Sequence, residues 1–156
     1  SGALRYDVKG RKYIGTGTKY YFEDIGIRNA VVDFRQIEFT NIMENVVYNE
    51  LRKQGYTVDV GSVESFKRDE NGKLQRRNLE IDFVVHRHDE RLYIQSAYAL
   101  PDKEKVDQEQ ASLLNVNDGF GKMIIVGDRY FSNYNEEGIK MVSLFDFLLG
   151  KEKIIK

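Results

Sequence analysis

The sequence has no cysteine, which excludes disulfides and thiolate metal centres and leaves no sign of an oxidising compartment. It also lacks an excess of charge. With 24 basic and 25 acidic side chains the formal net charge is -1, so no overall positive field draws the protein onto nucleic acid, and any such binding needs a local patch. Long apolar runs are missing too, since a bilayer span needs roughly 20 residues and the runs here stop after a few, and no secretory pattern opens the chain. No membrane partner is expected, and these absences are compatible with a cytoplasmic location. What is present is a chain of 156 residues with an apolar fraction of 41%, enough for one domain with its own core. It opens on Ser1 in mid-pattern and is expected to be a piece of a longer protein.

Strand-forming residues over 4–14 flank Lys9 and Gly10 and predict a short hairpin, followed by a third extended piece over 19–23 and a brief helix over 25–32. The clearest helix is expected over 40–54, where Ile42, Met43, Val46, Val47 and Leu51 recur at three- and four-residue spacing and Gly55 supplies the stop. Residues 56–66 alternate in part as a strand, and the polar stretch 67–73, with Asn71 and Gly72 inside, predicts a turn. Leu79, Ile81, Phe83 and Val85 alternate with Glu80, Asp82, Val84 and His86, so Glu80 and Asp82 are expected to point the same way. A polar turn at His88 and Asp89 leads to a paired strand over 91–100, with Tyr93, Gln95, Ala97 and Ala99 on one face and the single proline, Pro101, closing it. Asp102 can cap a helix over 103–115 with Val106, Leu113 and Leu114 inward. Apolar runs at 122–126 and 139–144 read as buried strands, and 145–149 as a last helix capped by Gly150. The order is helix, three strands, helix, strand, strand, helix, entered through a short N-terminal β-hairpin. It predicts a mixed α/β sheet flanked by helices, with a crossover connection. One compact domain is expected, in which residues 1–36 are a hairpin and connecting segment packed on a core spanning 37–156.

Metal-dependent phosphodiester cleavage needs carboxylates about one metal ion apart, a cation against developing charge, and an activated water. Adjacent strands can supply the first. Asp82 projects from one strand, Gln95 from its expected neighbour and Glu44 from the preceding helix, with Glu80 on the face shared with Asp82. The stretches KYYFEDIGIRN (19–29), IMENVVYNEL (42–51), LEIDFV (79–84) and YIQSA (93–97), in this order and spacing, resemble the PD-(D/E)XK nuclease superfamily. More closely, they resemble the nuclease-like C-terminal domain of unknown function found on bacterial and archaeal AAA-type ATPases, over nearly the whole chain.

The resemblance implies a restriction-endonuclease-like fold, with Asp82 as the acidic metal ligand and Glu44 as the helix carboxylate beside it. Gln95 falls where the second acidic ligand should be, and Ala97 where the lysine should be. Glutamine can bind a metal through its carbonyl oxygen but adds no charge, and alanine can neither orient a water nor stabilise an oxyanion. Losing such a donor costs about 2.7–4 kcal/mol of transition-state stabilisation. Asp82 and Gln95 are therefore the candidate Mg²⁺ ligands of a degenerate site, and Lys103 or Lys105 are the nearest replacements in sequence for the missing cation. The resemblance also implies an upstream ATPase domain in the same polypeptide, where ATP would bind; for this part of the chain no cofactor is expected other than the Mg²⁺ that such a site could hold.

Plainer roles compete for the same residues. Asn41 and Glu44 have the spacing of a capping box. Glu80 and Asp82 suit the solvated face of a sheet. His86 and His88 could share a metal, but Arg87 and Arg91 beside them favour an exposed turn. Lys67, Arg68, Lys73, Arg76 and Arg77 make the best nucleic-acid patch, interrupted by Asp69 and Glu70, and a solvated charge run is its plainer reading. Gly15 and Gly17 do not form a phosphate loop, because no Gly-Lys-Ser/Thr follows and no helix starts there. Tyr20, Tyr21, Phe22, Tyr130, Phe131 and Tyr134 read as structure rather than as a base-stacking surface. The expectation is a non-catalytic nuclease-fold module that binds nucleic acid or a protein partner. The alternatives are an active Mg²⁺-dependent nuclease using Asp82, Glu80, Gln95 and Glu44 with a displaced lysine, and a structural oligomerisation domain.

Overall fold

A computed structural model describes residues 1–31, 38–127, 132–152 and 154, with Thr16 described by its backbone alone. β1 (Gly2–Asp7) and β2 (Lys12–Tyr20) form the expected antiparallel hairpin, with Arg11 in the left-handed region of its turn. The extended piece expected over 19–23 is in part the end of β2. Pairing jumps from Arg5 opposite Ile14 to Ala3 opposite Lys19, so residues 15–18 bulge outward, and Gly17 takes the positive φ of 72° that the bulge requires. α1 (Ile25–Val31) buries none of its residues and is opened by Asp24, whose carboxylate accepts from the Ile27 N–H. Val32, its expected last residue, lies outside the described residues.

α2 (Phe39–Lys53) buries Met43, Val47, Tyr48 and Leu51 along one stripe, while Ile42 and Val46 are only half-buried. Gly55, at a φ of 86°, ends it as expected, with its N–H on the Arg52 carbonyl and that of Tyr56 on the Leu51 carbonyl. β3 (Thr57–Arg68) and β4 (Leu74–Arg87) form a hairpin longer than their alternation suggests, and β5 (Glu90–Ala97) follows. Next come α3 (Lys103–Leu114), β6 (Gly121–Val126), β7 (Asn133–Tyr134), β8 (Lys140–Ser143) and α4 (Leu144–Leu148). Asp102 caps α3 by accepting from the Lys105 N–H at 2.8 Å. Leu113 is buried in α3 as expected, whereas Leu114 is exposed.

The strands of the described residues form one mixed sheet in the order β2-β1-β3-β4-β5-β6-β8-β7, with β1/β3, β5/β6 and β6/β8 parallel. α2 and α4 cover one face, where Met43, Val47, Leu51 and Phe147 pack with Val60, Phe83, Val85, Ile94 and Ile125. α3 covers the other, where Leu113 meets Ile81, Val84, Tyr93, Ala97 and Ile124. Tyr6 and Val8 from the N-terminal hairpin belong to this second layer. Each large apolar side chain buried here contributes about 1.5–3 kcal/mol.

Strict alternation over 79–86 does not hold. β3 and β4 pair Asp59 with Val84 but Gly61 with Ile81, so β4 carries an extra residue across Asp82 and Phe83. The bulge puts Ile81 in the α3 layer with Val84, while Phe83 and Val85 face α2. Glycine is needed opposite it, because a Cβ on Gly61 would stand 2.8 Å from Val84 Cγ2 and 2.9 Å from Ile81 Cβ.

Candidate functional site

Charged side chains from the N-terminal hairpin, α2 and β4 meet on the α2 side of the sheet. Lys19 Nζ lies 2.6 Å from Glu44 Oε1 and 2.9 Å from Glu80 Oε1, and Arg5 Nη1 lies 2.8 Å from Glu80 Oε2. The Tyr21 hydroxyl donates to Glu44 Oε1 at 2.6 Å while its ring stacks on Tyr48 at 4.0 Å. Burial, then the charges of Glu44, Asp82 and Glu80, push the Tyr21 phenol far up, so it remains a donor. Burial works against the Lys19 ammonium, but Glu44 and Glu80 outweigh it and hold its pKa up. Burial likewise works against the Glu80 carboxylate, yet Lys19 and Arg5 together hold its pKa below the usual range.

Asn45, on the buried face of α2, fixes this arrangement. Its side chain accepts from the Phe22 N–H at 2.9 Å and donates to the Phe22 carbonyl at 2.6 Å, and Asn49 donates to the same carbonyl. A buried amide is tolerable when both its ends are bonded. Here the bonds dock the segment carrying Lys19 and Tyr21 over Glu44.

Asp82 has a different set of partners. Its Oδ2 accepts from both the N–H and the hydroxyl of Ser96, each at 2.8 Å. Backbone pairing between β4 and β5 stops at Phe83 opposite Ile94, so Asp82 bridges the two strands where their ladder ends. Burial first, and the Glu44 charge second, push its carboxyl up to about 7 against the opposing effects of Ser96 and Lys19. Gln95 turns toward the other layer, where its Oε1 accepts from the Asp82 N–H at 3.3 Å and from the Ser112 hydroxyl of α3 at 3.4 Å. Ala97 lies in that same α3-side layer.

The structure therefore brings Glu44, Glu80 and Asp82 into one neighbourhood and does not bring the side chains at 82, 95 and 97 into one pocket. Ser96 is the β5 side chain that meets Asp82. The bulge at Asp82 and Phe83 shifts β4 by one place, and a one-place shift exchanges the faces. Lys105, expected as a replacement cation, pairs with Glu109 on α3 at 2.6 Å. The lysine that reaches the carboxylates is Lys19. The capping-box role of Asn41 and Glu44 also fails, since Asn41 bonds Glu38 and Glu44 faces Lys19 and Tyr21. Among the described residues no three His, Cys, Asp or Glu side chains are arranged to hold a metal ion. Glu44 and Glu80 already share cations and Gln95 faces the other layer, so the oxygen set that Mg²⁺ requires is not assembled around Asp82.

His86 is half-buried rather than on an exposed turn. Its Nε2 lies 3.5 Å from Asp59 Oδ2, which also accepts from the Tyr13 hydroxyl at 3.0 Å, and Arg91 Nε donates to its Nδ1 at 3.4 Å. His88 does sit in an exposed turn, at a φ of 55°. Lys73, Arg76 and Arg77 are exposed on the β3–β4 hairpin, with Arg76 paired to Glu64. Tyr21 is core, Tyr20 and Tyr134 are exposed, and Tyr130 and Phe131 lie outside the described residues.

A protein of Haemophilus influenzae bearing the name "Uncharacterized protein" is 33% identical over 147 residues, a match that covers 94% of this chain and 32% of the relative. The chain thus spans about a third of that relative's length. No family model matches the chain, and no solved structure does. No helix among the described residues is long and apolar enough to cross a membrane.

Proposed function

We propose that this chain is a nuclease-fold module of the PD-(D/E)XK type that binds rather than cleaves. It would engage nucleic acid or a protein partner on behalf of a longer polypeptide, whose upstream part would be an AAA-type ATPase. The observation that carries the reading is the surroundings of Asp82. Its carboxylate is taken up by Ser96, and the side chains at 95 and 97 lie in the other layer. Support for the fold comes from the run α2-β3-β4-β5-α3-β6, an antiparallel meander followed by a helix and a strand parallel to the third. The share of the relative that this chain spans, 32%, fits a module within a larger protein.

One observation favours a second reading, a Mg²⁺-dependent nuclease with Lys19 as its displaced lysine, because Lys19 lies beside Glu44 and Glu80. That ammonium is committed to two carboxylates, which weighs against a role at a reacting phosphate. Incubation with supercoiled plasmid and with single-stranded DNA in Mg²⁺ or Mn²⁺ separates the two readings. The expected result is intact DNA with the wild type and with Asp82→Ala alike. Nicking that disappears in both Asp82→Ala and Lys19→Ala would establish the nuclease.

A further inference from the structure

Part of the β3–β4 hairpin stands clear of the rest of the sheet. β1 joins β3 only at Val60, Gly61 and Ser62, and β5 joins β4 only from Phe83 onward. Among the described residues, six cross-strand pairs, from Val63 opposite Leu79 to Arg68 opposite Leu74, have each other as their only sheet partners. At about 3.3 Å per residue this is a two-stranded ribbon roughly 17 Å long. Asp69 organises its turn by accepting from the N–H groups of Asn71 and Lys73 and from Gln75 Nε2. A free hairpin is marginal in water, and this one is rooted by buried Val63 and half-buried Leu79 in the α3-side layer.

Register sorts the ribbon's side chains onto two faces. Phe66, Arg68, Leu74 and Arg76 share one, while Lys67, Gln75 and Arg77 share the other. Phe66 is 55% and Leu74 58% exposed, and the register sets the two on one face as a paired apolar spot rather than as scattered single residues. Five basic residues against three acidic ones give the ribbon a net +2 on a chain of net charge -1, with Glu64 paired to Arg76. Lys67, Arg68 and Arg77 line a cleft of about 410 Å³ beside the turn, together with Asp69 and Glu70.

We propose that this ribbon enters the major groove of a B-form DNA duplex. The inference rests on the binding reading above and names its partner. The major groove, about 12 Å wide, admits a two-stranded ribbon. With the Phe66 and Leu74 face turned to the base edges, both suit apolar contact with thymine methyls, and basic groups on both strands, Lys67 and Arg68 on β3 and Arg76 and Arg77 on β4, suit a slot walled by phosphates on both sides. A-form RNA offers no such groove, because its major groove is deep and narrow.

The test titrates the whole chain into a labelled DNA duplex, the matching RNA duplex and one single strand, at 50 and 200 mM salt. The DNA duplex should bind most tightly. Each phosphate contact contributes about -0.9 to the slope of log affinity on log salt, so the double variant Arg68→Ala, Arg77→Ala should lose about tenfold less affinity than the wild type across that range. Phe66→Ser with Leu74→Ser should weaken DNA binding with the salt slope unchanged. All four side chains are exposed, so the thermal midpoint should stay at the wild-type value and serves as the control for folding. Equal affinity for RNA or single strands, DNA binding insensitive to both double variants, or a protein partner with no DNA binding would each overturn the ribbon assignment and leave the binding module standing. Asp82-dependent cleavage would instead overturn the reading beneath it.

Discussion

Consider Asp82→Asn, which removes a charge while keeping one oxygen for Ser96. In an unfolded chain an aspartate ionises near about 3.9; in this fold burial and then Glu44 hold it up to about 7. A carboxyl whose pKa rises on folding stabilises the fold fully below its unfolded pKa, and that contribution is lost as pH rises through the folded value. A gap of about 3 units at 1.36 kcal/mol each makes the change on the order of 4 kcal/mol. Asparagine carries no such charge, so the stability of Asp82→Asn relative to the wild type should climb by roughly that amount between pH 4 and pH 9. Urea unfolding of the two proteins side by side measures it. The comparison cancels Glu80, whose lowered pKa works in the opposite direction in both proteins. A stability difference that stays flat across this range would refute the reasoning, as would a carboxyl carbon titration of Asp82 with its midpoint near 4.

Burial first and Arg91 second hold the pKa of His86 down, with Asp59 opposing, so its contribution is present above about 6.5 and is lost as pH falls through the lower folded value. The thermal midpoint of His86→Gln should therefore drop less than that of the wild type between pH 7 and pH 5, and equal drops would remove His86 from the acid response. Gly61→Ala forces a methyl against Val84 and Ile81 and should cost about 1–3 kcal/mol in chemical denaturation; an unchanged midpoint would show that the bulge yields freely.

The helices were legible because their buried stripes recur at helical spacing and their ends carry chemistry, Asp102 before α3 and Gly55 after α2. The bulge was not legible. Ile81, Phe83, Val84 and Val85 are all fully buried, so no polar face fixed the phase of the alternation, and a shift of one residue passes unseen in such a run. That slip accounts for the misplacement of Gln95 and Ala97, since Ser96 lies between them. Lys19 was missed for another reason. Its contact with Glu44 depends on the docking of the preceding hairpin, and the available clue was a pair of asparagines, Asn45 and Asn49, one helical turn apart on α2.

The position of β1 between β2 and β3 also sets a timetable for assembly. During synthesis the first hairpin is at best marginal by itself, and its inner edge has nothing to pair with until Val60 is made, because Arg5 waits for it across the intervening chain. Closing that long loop is entropically slow. Until it happens, Tyr6 and Val8 have no core to enter. This hairpin, made before the strand it docks on, is thus among the last parts of the sheet to be secured.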